Sequence, residues 1–492
     1  MNLAPKHAPW AHQREDLESS KDFPAAALPW EPRCGKTKIS IDNAAYLAQA
    51  GKIDCALIIA PNGVHLNWTR EELPTHWPLD PPMVIEWSSA RAGTKRFEAA
   101  AAAALTHPGF VWVACNVEAV VTPRLARYLD LLVRRRRTLL IVDESHAIKN
   151  PRAKRTKAIM KLSQGCPYRR TLTGTPVSQG PFDLWAQYYV LDPAVLGPRF
   201  IPFKNRYGVF KRMRYGSGPA FDELVEYRNL DELRARIAPI TFPRRKRDCL
   251  DLPPRMMKTL SDGSQSDVLG VPRLFEMPDE HARVYRDLRD ELIARLDADT
   301  EITAAQALTN LLRLQQISRG HVTLEDRTLR ELGSPYPAAD ACLELVAENP
   351  GKSIVWCRFV ADVVLLKKVF TEAGIMAIRC DGSVPQDDRP ALRDQFRNDP
   401  ESRVWLGTIG TGGVGVDLSA ANLMIFYSHG FDLVQRMQAL ERNYGSRQTA
   451  DRLDVVDLVA ADTIDQRALA VLEKKENLAS TLTVHRLKEI LT

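Results

Sequence analysis

Leu139-Leu140-Ile141-Val142-Asp143-Glu144-Ser145-His146 is the stretch on which the reading of the whole chain turns. Four apolar residues in a row fit a strand buried on both faces, as in a parallel sheet. Two carboxylates, a hydroxyl and an imidazole follow at its carboxyl end. Open α/β sheets bind ligands just past that end. A phosphoryl-transfer site needs one acid to hold Mg2+ and another to orient the attacking water, and Asp143 and Glu144 stand where both tasks fall. The other reading of these eight residues is an exposed acidic turn after a strand, so the neighbouring sequence has to decide.

Upstream, Glu31-Pro32-Arg33-Cys34-Gly35-Lys36-Thr37-Lys38 precedes a helical pattern that runs through Ala50. Gly-Lys-Thr opening a helix is the core of a phosphate-binding loop. Backbone N–H groups and the helix N-terminus face the phosphates, the lysine reaches the β/γ oxygens and the threonine ligates Mg2+. The full G-x-x-x-x-G-K-T pattern needs a glycine where Trp30 stands. Further short apolar runs alternate with helical stretches: Ala56-Leu57-Ile58-Ile59, Phe110-Val111-Trp112-Val113 and Thr171-Leu172. That rhythm indicates a parallel sheet with right-handed crossovers. Each run ends in a polar cluster: Ala60-Pro61-Asn62, Cys115-Asn116, Thr173-Gly174-Thr175-Pro176. The clusters therefore share one edge of the sheet.

Length and composition set the frame. The chain has 492 residues, 45% hydrophobic, too many for one ordinary core. Lys and Arg total 67 against 61 for Asp and Glu, a net charge of +6 that permits a polyanionic partner without requiring one. Eight cysteines are scattered with no C-x-x-C pair, which argues against a zinc ribbon or disulfide framework and suits a reducing compartment. No run of about 18 apolar residues appears, and the N-terminus has no apolar signal core. The expected setting is the cytoplasm, with no membrane involvement.

Residues 182–250 read as mostly helical and end in Arg244-Arg245-Lys246-Arg247 before Asp251-Leu252-Pro253-Pro254 breaks the pattern. Gly263 to Pro272 reads as loop or linker. From residue 353 the α/β rhythm returns, with strands expected at Ser353-Trp356, Met376-Arg379, Val404-Leu406, Leu423-Phe426 and Leu453-Leu458. The expected division is a first lobe at 1–255, a linker at 256–276 and a second lobe at 277–492. In the second lobe, the stretch from Gly407 to Leu418 carries five glycines, which lets backbone approach a ligand closely. Gln438-Ala439-Leu440-Glu441-Arg442 fits a helix that Gly445 ends. An arginine presented from one lobe to a triphosphate on another acts as an arginine finger.

Taken in order, these motifs resemble those of superfamily-two helicases, and within them the Swi/Snf-type DNA translocases, particularly compact phage-encoded ones. The resemblance covers nearly the whole chain. His12-Gln13 resembles an adenine-reading glutamine motif, Gly35-Lys36-Thr37 motif I, and Ile59-Ala60-Pro61 with Asn67-Trp68 motif Ia. Asp143-Glu144-Ser145-His146 with Ala147-Ile148-Lys149-Asn150-Pro151 resembles the DEAH-x-I-K-N-P form of motif II. Thr173-Gly174-Thr175-Pro176 resembles motif III, and Gly412-Gly413-Val414-Gly415-Val416-Asp417-Leu418 motif V. Gln438 and Arg442 match the start of motif VI.

The resemblance implies an α/β protein of two RecA-like lobes, each a mainly parallel sheet flanked by helices, with the ATP cleft between them. It implies an ATPase using ATP and Mg2+ and moving along DNA, double-stranded and without sequence preference, as a monomer. The implied nucleotide contacts are Gln13, Arg33, Cys34, Gly35, Lys36, Thr37, Lys38, Gly415, Asp417 and Gln438. Thr37 and Asp143 would hold Mg2+, Glu144 would orient water, and His146 and Thr173 would couple the site to DNA. DNA contacts are expected from Asn67, Lys149, Arg245, Lys246, Gly412 and Gly413, mostly to phosphate.

Two departures stand out. Arg33 occupies a position usually held by glycine, and Gly445 replaces the usual second arginine of motif VI, with Arg447 two residues on. Arg442 is taken as the first candidate for the finger and Arg447 as the second. The run Arg134 to Arg137 fits a solvated helix end or a DNA contact. Two other functions compete with translocation: a strand-separating DNA or RNA helicase, and a non-hydrolysing DNA clamp. The linker carries no long insertion readable as a wedge, which favours translocation. Lys36, Thr37, Asp143 and Glu144 oppose the clamp.

Overall fold

The computed structural model describes residues 5–473 except 89, 178–179, 214–220, 261–262, 298–303, 325, 327, 386–387, 413–416 and 446. The chain divides into two units, Met1–Leu250 and Asp251–Thr492. Each is built around its own parallel sheet.

The first unit holds β1 (Ala25–Leu28), β2 (Cys55–Ala60), β3 (Met83–Glu86), β4 (Val111–Asn116), β5 (Thr138–Asp143) and β6 (Tyr168–Leu172) in the order β1-β6-β5-β2-β4-β3. Every pairing is parallel. The sequence explains why β5 is central. Its residues are buried throughout, and they alternate between two cores. Leu140 and Val142 pack with Leu57, Ile59 and Val113 on one side. Leu139 and Ile141 pack with Ala56, Ile58 and Trp112 on the other. Truncating one such residue, as in Ile141→Ala, costs about 2–5 kcal/mol because the close-packed layer cannot refill the gap.

Beyond β6 the segment expected to be mostly helical contains helices and also an antiparallel hairpin, β7 (Gly208–Met213) with β8 (Phe221–Tyr227). Phe210 stacks on Phe182, whose ring also meets Tyr227 edge-on, so aromatic packing overrides the helical reading. The four-arginine run is divided by the end of the helix Pro123–Arg135. Arg134 is exposed and pairs with Asp130 at 3.0 Å. Arg136 is buried and donates to the carbonyls of Ala104 (2.8 Å), Asp54 and Gly109 (both 3.3 Å) and His107.

The second unit holds β9 (Arg255–Met256), β10 (Val271–Phe275), the antiparallel pair β11 (His321–Thr323) and β12 (Leu329–Glu331), then β13 (Lys352–Cys357), β14 (Ala377–Cys380), β15 (Val404–Thr408), β16 (Ala421–Phe426) and β17 (Leu453–Ala460). The sheet order is β10-β17-β16-β13-β15-β14, and β9 also pairs with β17. Strands β9 and β10 include residues from the stretch expected as linker. Among the described residues no helix is long and apolar enough to cross a membrane.

Candidate functional site

The phosphate loop leaves β1 and turns twice through left-handed backbone, at Arg33 (φ 68°) and Gly35 (φ 83°). A non-glycine residue pays strain for that conformation, so Arg33 marks a turn the surroundings enforce. Gly35 is required on two counts. It caps the helix Lys36–Gln49 in the left-handed region, and a Cβ there would lie 2.0 Å from Gln13 Nε2. Gln13 donates to Gly35 O at 3.3 Å and accepts from Trp10 N at 2.8 Å. His12 Nε2 donates to Cys34 O at 2.8 Å. The helix Ala11–Ser20 thus braces the loop from outside. The Cys34 thiol is buried, which pushes its pKa up to about 12 and leaves it neutral.

Lys36 Nζ donates to Trp30 O at 2.7 Å and Glu31 O at 3.3 Å. Both acceptors are neutral carbonyls, which make weaker bonds to an ammonium than an anionic oxygen does. Thr37 is half-buried in the first turn beside it. Lys38 faces inward instead: it is buried and ion-paired with Asp42 one turn on.

At the end of β5, Asp143 is buried between two donors. Oδ2 accepts from the Trp68 indole N–H at 2.8 Å, and Oδ1 accepts from Glu144 N at 2.9 Å. Burial, then the adjacent Glu144 carboxylate, push the Asp143 pKa up to about 6, against the Trp68 bond and the Lys36 charge. Glu144 itself sits at φ 49°, another left-handed non-glycine. Its Oε2 lies 3.3 Å from His146 Nδ1, which is also 3.3 Å from Thr173 Oγ1. Thr173 Oγ1 accepts from Thr175 N at 3.1 Å. A Cβ on Gly174 would meet Pro32 Cδ at 2.8 Å, so this turn packs directly on the phosphate loop. Ser145 Oγ donates to Gln187 Oε1 at 2.7 Å, and Gln187 Nε2 donates to Pro176 O and Asp183 O. Gln187 is a site residue that no motif singled out, and Trp68, quoted within motif Ia, makes a bond to Asp143 that the motif did not indicate.

This arrangement fits a nucleotide with Mg2+. The loop offers a cation, a helix N-terminus and a hydroxyl, and the end of β5 adds a buried carboxylate. Among the described residues no cluster of three or more His, Cys, Asp or Glu could cage a metal. Mg2+ is commonly held by one or two carboxylates plus substrate phosphates, which is what this edge provides.

Of the residues expected at DNA, Asn67 and Lys149 are half-buried and Arg245 is exposed. Lys246 is not at the surface: it is 2% exposed, and its backbone N–H donates to Glu31 Oε2 at 2.8 Å. Arg244 beside it clamps Asp16 through two bonds of 2.6 and 2.9 Å and Glu15 at 2.7 Å. This segment therefore braces the loop from the side opposite β6.

In the second unit, β15 leads into a short helix, Ile409–Gly412. Gly413 and Gly415 lie outside the described residues. Asp417 Oδ2 accepts from Arg397 at 3.1 Å and from Arg447 at 3.4 Å. Gln438 is half-buried on the helix Leu433–Leu440. That helix stops before Arg442 rather than at Gly445. Asn443, fully buried, donates to Ala421 O at 3.3 Å, and Leu418 N donates to Arg442 O at 2.9 Å, which draws the chain off the helical path. Arg436, on the same helix, is buried against Asp457 with bonds of 2.6 and 2.9 Å.

A family model described as "SNF2-related domain" matches residues 27–320, and one described as "Helicase conserved C-terminal domain" matches 338–444. Among curated proteins, the chain is 26% identical over 381 residues to "TATA-binding protein-associated factor mot1" of Aspergillus fumigatus, covering 70% of this chain and 20% of that protein. It is 24% identical over 442 residues to human "DNA annealing helicase and endonuclease ZRANB3", covering 88% and 37%. It is 24% identical over 362 residues to an "Uncharacterized ATP-dependent helicase" of Mycoplasma pneumoniae, covering 72% and 32%. The chain thus spans a fifth to just over a third of these relatives. A solved structure, "Sulfolobus solfataricus SWI2/SNF2 ATPase core in complex with dsDNA", aligns over 99% of this chain and 97% of its own at 19% identity and a TM-score of 0.41. With its first unit and the start of its second matched by that family, the chain belongs to the SNF2-related group of Swi/Snf-type, nucleic-acid-dependent ATPases, which use ATP with Mg2+.

Proposed function

We propose that the protein is a motor that converts ATP hydrolysis into movement along double-stranded DNA, in a reducing compartment. One observation carries the catalytic part of this reading. Asp143 and Glu144 stand at the end of the central strand, with Lys36 near enough to oppose the Asp143 shift and His146 bridging towards Thr173. All eight cysteines are free, which suits the reducing setting.

Bound ATP with Mg2+ supplies the phosphoryl group and the metal charge that offsets it. Lys36 transfers its hydrogen bonds from the loop carbonyls to β/γ-phosphate oxygens. Gln13 fixes Gly35, and so the turn that aims the backbone N–H groups. Thr37 and Asp143 hold the metal. Glu144 orients the attacking water, its carboxylate steadied by His146. Arg442 is assigned to the negative charge that develops, with Arg447 as the alternative. Asn67, Lys149 and Arg245 are assigned to DNA phosphates, together with the Gly412-Gly413 backbone. The buried Lys246 acts on the loop instead. Opening and closing on each turnover alternates the grip on DNA.

The test is the ATPase rate without nucleic acid and with single-stranded, duplex and branched DNA and with RNA. Duplex stimulation together with displacement of a triplex strand is expected. Stimulation by single strands or RNA, with unwinding of forked duplex, would replace this reading by a strand-separating helicase. Turnover indifferent to every nucleic acid would refute both.

A further inference from the structure

We infer that Trp68 is a positioning residue for the metal-holding carboxylate, and that it ties the DNA-facing segment to the nucleotide site. The inference rests on the proposed role of Asp143 at Mg2+ and, for its second half, on Asn67 meeting DNA. Trp68 is 1% exposed, and its Nε1–H donates to Asp143 Oδ2 at 2.8 Å. The other oxygen is fixed by Glu144 N. Together the two bonds set the plane of the carboxylate, and each oxygen keeps a lone pair for a cation or its water. An N–H that orients a metal-binding carboxylate from behind tunes how well it binds.

The backbone around Trp68 is unusual. The short helix Val64–Asn67 passes directly into a π-helical turn, Trp68–Glu72. Such turns are rare and gather at functional sites. The turn is anchored downstream. Thr69 Oγ1 donates to Glu86 Oε1 at 2.6 Å, and Arg70 meets Glu86 through two bonds of 3.1 Å. Asn67 and Trp68 are joined by a single peptide unit. With the far side of the turn held by Glu86, a displacement of Asn67 on gripping phosphate passes to the indole, and from the indole to Asp143. The aromatic body of Trp68 lies in the core with Ile58, Leu73 and Trp112, so the ring pivots as one piece with the turn.

The experiment compares the full-length protein with Trp68→Phe and with Trp68 replaced by 3-benzothienylalanine. The second keeps the bicyclic bulk and puts sulfur in place of the N–H. Mn2+ affinity is measured by electron paramagnetic resonance in the presence of a non-hydrolysable ATP analogue. ATPase kcat and KM are measured with and without duplex DNA, alongside duplex binding and the melting temperature. The inference expects both variants to bind Mn2+ roughly 10- to 100-fold more weakly. It also expects the DNA-stimulated kcat to fall more than the basal kcat, with duplex affinity unchanged. Wild-type Mn2+ affinity in the folded benzothienylalanine protein would overturn the positioning role. Weakened Mn2+ binding with an unchanged ratio of stimulated to basal kcat would overturn the link to DNA. If the wild-type protein shows no stimulation by any nucleic acid, the proposed function fails, while the Mn2+ comparison still decides the positioning role.

Discussion

The second unit's sheet and the end of β5 in the first both bury carboxylates, and they treat them differently. In the second unit Asp457 meets Arg436 at 2.6 and 2.9 Å, and Asp465 meets Arg319 at 2.7 Å. Arg319 also donates to Tyr427 O and Leu458 O, and Arg436 to Val268 O. These charges are matched where they stand. In the first unit Asp143 is also buried, but its bonds come from an indole and an amide. Its neighbour Glu144 adds like charge and holds strained backbone. A matched pair consumes its charge in holding the sheet together. A carboxylate held by neutral donors keeps charge available for a ligand, and the fold carries the cost.

The largest effect should come from removing the charge beside Asp143. Glu144→Gln keeps the side chain's size and abolishes the carboxylate that orients water. ATP hydrolysis should fall about 10²- to 10⁴-fold while ATP still binds. Steady-state turnover and nucleotide binding measured on one preparation test this, and near-normal turnover would remove Glu144 from the site. The matched pair should respond in stability instead. Arg436→Met leaves Asp457 buried and unpaired, and should cost about 3–5 kcal/mol in urea unfolding. Adding Asp457→Leu should recover most of that loss. If the double variant is no more stable than the single one, the pair is not an isolated charge match.

That contrast also separates what the sequence discloses from what it conceals. The central strands were legible because Cys55–Ala60 and, within β5, Leu139 to Val142 are unbroken apolar runs buried on both faces. The motifs at their ends were legible because each is local. Strand β1, Ala25–Leu28, was not, since three alanines favour helix and only pairing with β6 makes them a strand. Strand β10 was hidden by Pro272, which a sheet tolerates only at the edge it occupies. The Gly- and Pro-containing stretch after Met213 was the available signal for the β7–β8 hairpin. Partners distant in sequence left no local trace. Nothing near Trp68 announces an acceptor 75 residues away. Nor does the run Arg244 to Arg247 reveal that Lys246 is buried while Arg245 is exposed.

A smaller effect sharpens the comparison through pH. The folded pKa of Asp143 is raised from 3.8 to about 6, chiefly by burial. Between those values the folded state binds more protons than the unfolded one, so this group's contribution falls as pH rises. Above pH 6 the carboxylate is charged in both states and the cost is complete, at most about 3 kcal/mol. Relative to Asp143→Asn, the wild type should therefore gain up to that amount as pH drops from 7.5 to 4. Urea unfolding of both proteins across this range measures it. A difference that does not change with pH would mean that the buried carboxylate carries no such cost.

The smallest effects distinguish charge at the surface from charge that builds the fold, within the single run Arg134 to Arg137. Arg135 is exposed at the end of its helix, and a surface change there away from packing is worth within about 0.5 kcal/mol. Arg135→Gln should thus leave stability intact. If Arg135 meets a phosphate, the slope of log affinity for duplex DNA against log salt should shrink by about one, because one fewer counterion is released. An unchanged slope would assign it to solvent. Arg136→Gln should leave that slope untouched and lower stability, since the carbonyls of Ala104, His107 and Gly109 lose the guanidinium that bonds them in a buried or half-buried place. Adjacent arginines with opposite responses would show that position against the sheet, and not the charge run itself, decides what each one does.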